Sequence, residues 1–189
     1  MAAPLEDSIR EQIRAEILSI DPLDELERLH INETLAWVDS GVGLFRTAKP
    51  ATPPKHLVSY FAVVDHDHIL LVDHKNAELW LPTGGHVEHD EHPRATVVRE
   101  IQEELGLTPA HPIEAPLMIT STTTAARTAG HIDVSLWYVV SGDRAQDLEY
   151  DRGEFNSINW FAFDAIPFQR SDPHMQRFIQ KLTQKFSAS

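Results

Sequence analysis

The chain has no cysteine and comparatively little positive charge. Without cysteine among its 189 residues it can form no disulfide, thiolate metal site or cysteine nucleophile. Its 16 basic residues face 29 acidic ones, which gives a net charge of −13, and no stretch gathers lysine and arginine into a stripe that could follow a phosphate backbone. The composition therefore predicts no broad nucleic-acid binding, and any anionic ligand would need cations to bridge it to this protein.

Long apolar runs are also missing. The longest nearly uninterrupted one covers residues 57–64 and includes Ser59, far below the roughly 18 residues that a membrane-spanning helix needs. The first residues carry acids where a signal peptide has a basic region. The polar face of the amphipathic helix predicted in this region is acidic, which disfavours binding to anionic lipid. We therefore expect a cytoplasmic protein with no membrane partner.

Residues 1–48 differ in pattern from the rest of the chain. Apolar residues recur there at helical spacing, and Asp21-Pro22 is a helix-start signal. The pattern breaks at Asn32 or at 39–41, which leaves two or three small helices open, the third near residues 33–38. Three prolines within residues 50–54 indicate a linker. We predict a helical N-terminal extension over 1–48, which packs on the core or mediates a homodimer, and a second domain over 49–189.

The second domain alternates strand and helix patterns. A helix over 93–105 is predicted from Asp90 or Glu91 at its cap, Pro93 in its first turn and Gly106 at its end. Apolar residues at helical spacing after residue 174 predict a C-terminal amphipathic helix. Runs rich in β-branched and aromatic residues predict strands over 57–65, 68–75, 78–81, 115–121, 131–141 and 158–163. Such mixing predicts an α/β layered fold.

The predicted helix over 93–105 carries three carboxylates on one face. At about 100° per residue, Glu100, Glu103 and Glu104 fall within one arc, whereas Val98, Ile101 and Leu105 group on another face that can pack on a sheet. Most acidic helix faces are only solvated. Here, however, like charges at this spacing repel each other.

Two neighbouring features favour a cation at this face. Arg99 is the one nearby residue that can relieve the repulsion, and Gly84-Gly85 precede the helix with backbone carbonyls that can add neutral oxygen ligands. An all-oxygen, carboxylate-rich set suits Mg²⁺ or Mn²⁺. The spacing alone leaves both interpretations of this face open, an acidic face that is only solvated and one that binds a cation.

The same stretch resembles the Nudix box, G-x5-E-x7-R-E-U-x-E-E-x-G-U, in which U is a bulky aliphatic residue. All nine defined positions agree over 23 residues: Gly85, Glu91, Arg99, Glu100, Ile101, Glu103, Glu104, Gly106 and Leu107. The resemblance extends, less specifically, over about residues 57–186. It implies a Nudix fold, with a mixed β-sheet sandwiched between α-helices, and hydrolysis of a nucleoside diphosphate linked to another moiety.

The resemblance also implies roles for individual residues. Glu100, Glu103 and Glu104 would bind divalent cations, Arg99 would orient them by salt bridges, and the carbonyl of Gly84 would add a ligand. Glu91 would stabilise the geometry of the loop and helix. Glu103 or Glu104 would take the proton from the attacking water.

An acid further along the chain is a second candidate for metal binding or for the general base. Glu154 matches it best, although Asp147, Glu149 and Asp151 lie nearby, and an exposed loop acid without a role is the alternative.

Substrate contacts are predicted from shorter matches. Residues 160–168 resemble the corresponding region of the MutT-like branch, in which an acid reads the base edge, and this implies Asp172 for that role and Phe168 for stacking. Asp172 could instead cap the helix that follows Pro173. Residues 121–124 with Arg127 form a polar loop that could contact phosphate or sugar, or be a plain turn.

Several histidines have a second interpretation. His86, His89 and His92 could suggest zinc, although the nearby carboxylates favour harder metals, so exposed loop histidines close to substrate phosphates are the preferred interpretation. His131 and Asp133 fit the edge of a strand.

The resemblance, together with the carboxylate-rich helix face, implies a Mg²⁺-dependent hydrolase, with Mn²⁺ as an alternative. Its most favoured substrate is a nucleoside triphosphate, converted to nucleoside monophosphate and pyrophosphate. ADP-ribose or a nucleotide sugar is the alternative substrate, and a catalytically silent module that senses a nucleotide is the alternative from another class.

Overall fold

Four helices and seven strands make up the regular structure of the computed structural model, which describes residues 4–48, 52–123 and 130–187. The helices are α1 (Pro4–Leu18), α2 (Glu25–Asp39), α3 (Pro93–Leu105) and α4 (Met175–Ser187), with a short 3₁₀ turn over Phe168–Arg170. The strands are β1 (Lys55–Asp65), β2 (His68–His74), β3 (Leu79–Leu81), β4 (Thr83–His86), β5 (Met118–Thr123), β6 (Ile132–Ser141) and β7 (Phe155–Ala162).

The strands form one mixed sheet centred on β1. Its main path runs β3-β2-β1-β6-β5, while β4 pairs with β1 and β7 pairs with β2. Strands β1 and β6 run parallel from Lys55 opposite Ile132 to Val64 opposite Ser141. The pairings of β1 with β2 and with β4 are antiparallel. The predicted mixed sheet is therefore confirmed.

Apolar clusters cover both faces of the sheet. Side chains alternate along a strand, so Phe61 packs among residues of α1, α2 and α3, whereas Ala62 packs among residues of α4. Trp137 and Phe178 stack in the second cluster, with ring centroids 5.0 Å apart. The sheet is thus enclosed between helices, as predicted for this α/β fold.

The N-terminal helices pack against the same core. Ile9, Ile13 and Ile17 of α1 are buried with strand residues in one cluster. The buried carboxylate of Glu16 accepts hydrogen bonds from Arg94 at the start of α3 and from the hydroxyl of Tyr138, the latter at 2.7 Å. The extension therefore packs on the core and supports the start of α3, and a homodimer through it remains a prediction. Within the described ranges, no helix is long and apolar enough to cross a membrane.

Helix α2 decides between the two or three helices predicted over 1–48. The described residues of this region form two helices, because α2 continues through Asn32 to Asp39 and includes the stretch near 33–38. Its N-cap is Asp24, whose side chain accepts a hydrogen bond from the backbone N–H of Glu27 at 2.9 Å. A single asparagine costs a helix only a fraction of a kcal/mol, which the burial of its apolar face offsets.

Helix α3 has the predicted bounds, and Ile101 and Leu105 are buried as predicted, but its cap and one residue of its packing face differ. His92 is the N-cap, because the carboxylate of Glu91 is engaged by Arg99 and Asp90 has a positive φ of 62°. Val97 is fully buried, whereas Val98, predicted to pack on the sheet, is 46% exposed. Val97 lies four residues before Ile101 and therefore on the same face of the helix. Val98 lies one residue further along, where the helix has turned by about 100°.

Three strands differ most from the prediction, and the bounds of the others agree within two residues. β4 was not predicted, since its Gly84-Gly85 pair has low β-propensity. β5 begins at Met118, three residues after its predicted start, and β7 begins at Phe155, three residues before its predicted start. These shifts follow the pairing with neighbouring strands, which local patterns do not contain.

Candidate active site

Arg99 organises the acidic face of α3. Its guanidinium donates to both carboxylate oxygens of Glu91, each at 3.0 Å, to Oε1 of Glu100 at 2.6 Å and to Oε2 of Glu103 at 3.5 Å. It also donates to the backbone carbonyl of His86 at 3.3 Å. Planar, forked donors of this kind hold carboxylates in a fixed orientation. Arg99 thereby ties the loop before α3, the end of β4 and two of the three box carboxylates together.

The backbone of β4 lies directly against these carboxylates. The N–H of Gly84 donates to Oε2 of Glu104 at 3.2 Å. At Gly85, a Cβ would lie 1.9 Å from Oε1 of Glu100, so a side chain there would displace this carboxylate. Gly85 thereby lets β4 approach α3 closely, and the backbone of this strand lies against the carboxylates of Glu100 and Glu104.

Burial and mutual repulsion disfavour the charged forms of Glu100 and Glu104. Burial first, and then the negative charges of Glu100 and Glu154, raise the pKa of Glu104 to about 9. Burial also raises the pKa of Glu100, with Arg99 opposing it and the charges of Glu103 and Glu154 adding to it. A bound cation would remove this penalty by satisfying both carboxylates in their charged form. The donor set therefore fits a hard divalent metal.

Glu91 has the opposite electrostatics. Burial alone would raise the pKa of its carboxyl group, but hydrogen bonds from Arg99, Thr96 and the N–H of Glu88 lower it overall. Glu91 is thus ionised and fully used by protein donors. Its place in the structure is that of a support for Arg99 and for the turn into α3.

The downstream acids approach the same carboxylates. Glu154 lies in the turn before β7, exposed to solvent, and its charge acts on both Glu100 and Glu104. Asp151 also acts on Glu104, and its backbone N–H donates to the carbonyl of Glu104 at 2.9 Å. The structure thus brings both Glu154 and Asp151 towards the box helix.

The cluster formed by Glu100, Glu103 and Glu104 is open to solvent on one side. The side chain of Glu103 is 60% exposed, whereas that of Glu100 is 14% exposed, and Glu104 is buried. A ligand can therefore reach the site from the side of Glu103, while Glu100 and Glu104 form its inner wall.

Tyr60, which sequence reasoning missed, lies close enough to Glu104 and to Asp172, the predicted base-reading residue, for both charges to act on its hydroxyl. It pairs with Gly84 across β1 and β4. Its ring stacks at 4.9 Å on Trp137. Burial, followed by the charges of Asp172, Asp133 and Glu104, raises the pKa of its hydroxyl. No local motif marks Tyr60; only its register opposite the Gly-Gly pair could have indicated it.

The predicted substrate residues are placed as follows. Asp172 is mostly buried beside α4, burial raises its pKa to about 6, and its Oδ1 accepts from the N–H of His174 at 2.7 Å. It thus makes the hydrogen bond of a helix-start residue, the alternative role considered for it. Phe168 is partly buried against the same apolar cluster as Tyr60. Arg127 lies outside the described residues.

The three loop histidines do not form a shared metal site. His89 pairs with Asp90 at 2.9 Å near the surface, and His92 caps α3. His86 points instead towards His56 and His131. The zinc interpretation of His86, His89 and His92 is therefore wrong, because β4 and the start of α3 separate their side chains.

Comparison with known proteins supports the fold and the box together. The NUDIX domain model matches residues 55–182. A MutT Nudix hydrolase from Burkholderia pseudomallei is similar in structure, with 25% identity, a TM-score of 0.57, and coverage of 66% of this chain and 95% of that one. No curated protein sequence matches the chain.

Two further structures share the fold at lower identity. The Nudix domain of Shewanella oneidensis NrtR, solved with ADP-ribose, has 18% identity and a TM-score of 0.55, covering 69% of this chain and 87% of that one. A UDP-X diphosphatase has 15% identity and a TM-score of 0.53, but covers 96% of this chain and 95% of that one.

The fold and the box together define a hydrolase that acts on phosphoanhydrides. This chain belongs to the Nudix family and is a Nudix diphosphohydrolase. Nudix hydrolases generally use divalent metals and bind small nucleotide substrates.

Proposed function

We propose that this protein hydrolyses a phosphoanhydride bond of a nucleoside triphosphate in a Mg²⁺-dependent reaction, releasing nucleoside monophosphate and pyrophosphate. The observation that carries the proposal is the convergence of Glu100, Glu103 and Glu104 against the backbone of Gly84 and Gly85. Mn²⁺ would satisfy the same oxygen donors.

The proposed metal ligands are the three box glutamates and the carbonyl of Gly84, with Glu154 completing the set. Bound there, the cations would neutralise the phosphate oxygens and lower the pKa of a bound water. The −13 charge of the chain makes this neutralisation necessary, since the protein itself repels a polyphosphate.

The chain's own residues would do the rest. Arg99 holds the carboxylates of Glu100 and Glu103 in place through its contact with Glu91. Glu103 is the exposed carboxylate, so Glu103 or Glu154 can accept the proton of the attacking water from the open side, and buried Glu104 is the third candidate for this base.

The substrate's nucleoside would lie beyond Tyr60. Phe168 offers an aromatic surface there, and Asp172 offers a mostly buried carboxyl whose pKa is raised to about 6. A protonated carboxyl donates a hydrogen bond and an ionised one accepts two, so this residue can discriminate between base edges. Arg127 remains a proposed phosphate contact.

A nucleotide sugar or ADP-ribose is the second candidate substrate. The observation that favours it is that the fold likeness to UDP-X diphosphatase extends over the N-terminal helices as well as the box. A catalytically silent nucleotide sensor is disfavoured, since such a module has no need for three mutually repelling carboxylates. The cytoplasm remains the proposed location.

One panel separates these proposals. Phosphate release, after pyrophosphatase or phosphatase treatment, is measured with canonical and oxidised nucleoside triphosphates, ADP-ribose, nucleotide sugars and dinucleoside polyphosphates, each with Mg²⁺ and with Mn²⁺. Fastest turnover of a triphosphate supports the first proposal, and fastest turnover of a nucleotide sugar or ADP-ribose supports the second. No turnover of any member, together with tight nucleotide binding, supports the sensor.

Glu103→Gln tests the metal mechanism in the same panel. We expect it to lower kcat by at least about 100-fold, the scale of a lost catalytic proton transfer, while leaving the fold intact because Glu103 is exposed. Glu25→Gln on α2, which neutralises a glutamate that is 90% exposed, is the matched control. Unchanged hydrolysis by Glu103→Gln would exclude the proposed role.

A further inference from the structure

Three histidines and an aspartate from three strand segments lie together near the end of β4. His56 belongs to β1, His86 ends β4, and His131 and Asp133 lie at the start of β6. One ring nitrogen of each histidine and one oxygen of Asp133 lie within 4.8 Å of one another. We refer to these four residues as the histidine cluster.

The cluster is deeply placed. His56 is fully buried and His131 is 5% exposed, and the side chain of Asp133 is 24% exposed. The rings of His56 and His131 stack at 5.2 Å, and those of His56 and His86 lie 4.9 Å apart. Polar groups in such a position are costly unless each finds a partner.

The tautomer of His56 shows that two hydrogen-bond acceptors, Nε2 of His56 and Oδ1 of Asp133, face each other. Its Nδ1 lies 2.9 Å from the carbonyl oxygen of Pro53, which can only accept, so Nδ1 carries the proton. Nε2 of the neutral ring is then an acceptor, and it faces Oδ1 of Asp133 at 3.1 Å. Neither atom has a hydrogen-bond partner among the described residues.

Two facing acceptors at this distance require a positive charge between or upon them. A metal ion supplies it, and protonation of His56 is the alternative. The grouping of three imidazoles with one carboxylate favours the metal, and two of the distances fit it: Oδ1 of Asp133 lies 3.1 Å from Nε2 of His56 and 3.3 Å from Nε2 of His131. Zinc bonds of about 2.0–2.1 Å in a tetrahedron place neighbouring donors about 3.3 Å apart.

We propose that His56, His86, His131 and Asp133 form a zinc site separate from the carboxylates of the box helix. Three imidazoles and one carboxylate are a donor set typical of Zn²⁺ in a chain without cysteine. The hydrogen bond from Nδ1 of His56 to Pro53 fixes the ring as a metal-binding imidazole requires.

The ion would join three strands at one edge of the active site. His56, His86 and the pair His131 and Asp133 come from β1, β4 and β6, which are adjacent in the sheet. The carbonyl of His86 also accepts a hydrogen bond from Arg99. A metal at the cluster would therefore fix the strand that presents Gly84 and Gly85 to the box glutamates.

Arg46 contacts His86, one of the four proposed zinc ligands, and would compete with the metal for it. Its Nη1 lies 3.1 Å from Nε2 of His86, so the guanidinium holds that nitrogen in the metal-free chain. Arg46 is only partly buried and can turn towards solvent when His86 binds through this atom.

The test is zinc binding by the full chain stripped of metal. Zn²⁺ affinity is measured by isothermal titration calorimetry, and bound metal by mass spectrometry after desalting. We expect wild type to retain one zinc that a Glu100→Gln and Glu103→Gln double variant also retains, because the site does not use the box helix. His56→Ala and Asp133→Asn should each weaken zinc binding by at least about tenfold.

His89→Ala is the matched control, since it removes an exposed neighbouring histidine that is outside the cluster, and it should bind zinc as wild type does. Circular dichroism verifies that each variant is folded. A measurement without variants guards against misfolding: Co²⁺ bound to wild type should show the strong visible absorption of tetrahedral coordination.

Two results would overturn the proposal. The first is wild type that retains no zinc and gives only the weak absorption of octahedral Co²⁺, which would make His56 and Asp133 a protonated ion pair. The second is folded Asp133→Asn and His56→Ala that bind zinc as tightly as wild type, which would place the ion elsewhere.

Discussion

Gly85 lies so close to Glu100 that a Cβ on the glycine would be 1.9 Å from the carboxylate oxygen Oε1. The contact explains a glycine at this position by space rather than by backbone conformation, because Gly85 is not among the glycines with positive φ. It also makes the orientation of Glu100 dependent on the strand that faces it.

Gly85→Ala should therefore displace the Glu100 carboxylate and impair metal binding. A Cβ cannot share the position of Oε1, so the side chain must rotate away from Arg99 and from the region next to Gly84. We expect a loss of at least about tenfold in kcat/KM or in Mg²⁺ affinity, the scale found for changes around metal ligands. Steady-state kinetics over a Mg²⁺ titration measures it.

Gly43→Ala is the control for this variant. A Cβ at Gly43 meets nothing within 4 Å, so the change adds the same methyl group without a contact. Activity in Gly85→Ala equal to that of Gly43→Ala would show that Glu100 can move without consequence.

Arg99→Lys should separate the charge of Arg99 from its geometry. Lysine keeps the positive charge but cannot donate to both oxygens of Glu91 while also reaching Glu100. We expect kcat to fall by about tenfold or more and the Mg²⁺ concentration needed for half-maximal rate to rise. Arg28→Lys, on an exposed arginine 3.4 Å from Glu25, should change neither. Equal rates in both variants would contradict an orienting role for Arg99.

The box and its helix could be predicted from the sequence because their geometry is local. Glu100, Glu103 and Glu104 lie within two turns of one helix, and Arg99 is adjacent, so helical periodicity alone places them together. The bounds of α3 follow from Pro93 and Gly106 for the same reason. Ile101 and Leu105 of its predicted packing face are buried, but Val98 was predicted in place of Val97, since both valines are apolar.

The rest of the site depends on strand register. Tyr60 meets Gly84 through the pairing of β1 with β4, and His56 meets Asp133 through the parallel pairing of β1 with β6. Each of these contacts joins segments more than 20 residues apart, and a slip of one residue would turn every side chain to the opposite face. Single-sequence patterns do not contain that register.

Lys181→Met should destabilise the protein strongly. Lys181 of α4 donates at 2.6 Å to Glu27 of α2, and both side chains are buried. Glu27 also accepts from the N–H groups of Leu23 and Ile119, at 2.7 Å and 3.3 Å. Removing the ammonium leaves a buried, uncompensated carboxylate, so we expect a loss of about 3–5 kcal/mol in the free energy of unfolding, measured by urea denaturation.

Lys185→Met on the same helix is the control. Its partner Glu114 lies at 2.7 Å, but the two side chains are 43% and 75% exposed, so this change should cost no more than about 1 kcal/mol. Adding Glu27→Gln to Lys181→Met should recover part of the loss, since it removes the buried charge. Equal effects of the two lysine variants would mean that burial of the Glu27 pair does not matter.

The free energy of unfolding should fall in mild acid because the pKa of His174 is lowered in the native chain. Burial and the positive charge of Arg177, whose Nη1 donates to Nδ1 of His174 at 3.0 Å, lower the pKa of its imidazole to about 4. The unfolded chain takes up this proton near pH 6.5 and the native chain only near pH 4, so stability is lost as the pH falls through that window, by at most about 1.4 kcal/mol per pH unit. His174→Gln should flatten the slope of the unfolding free energy between pH 6.5 and 4, measured by urea denaturation at each pH, whereas His111→Gln, at an exposed histidine, should keep it. An unchanged slope in His174→Gln would mean that this imidazole binds its proton equally in the native and unfolded chains.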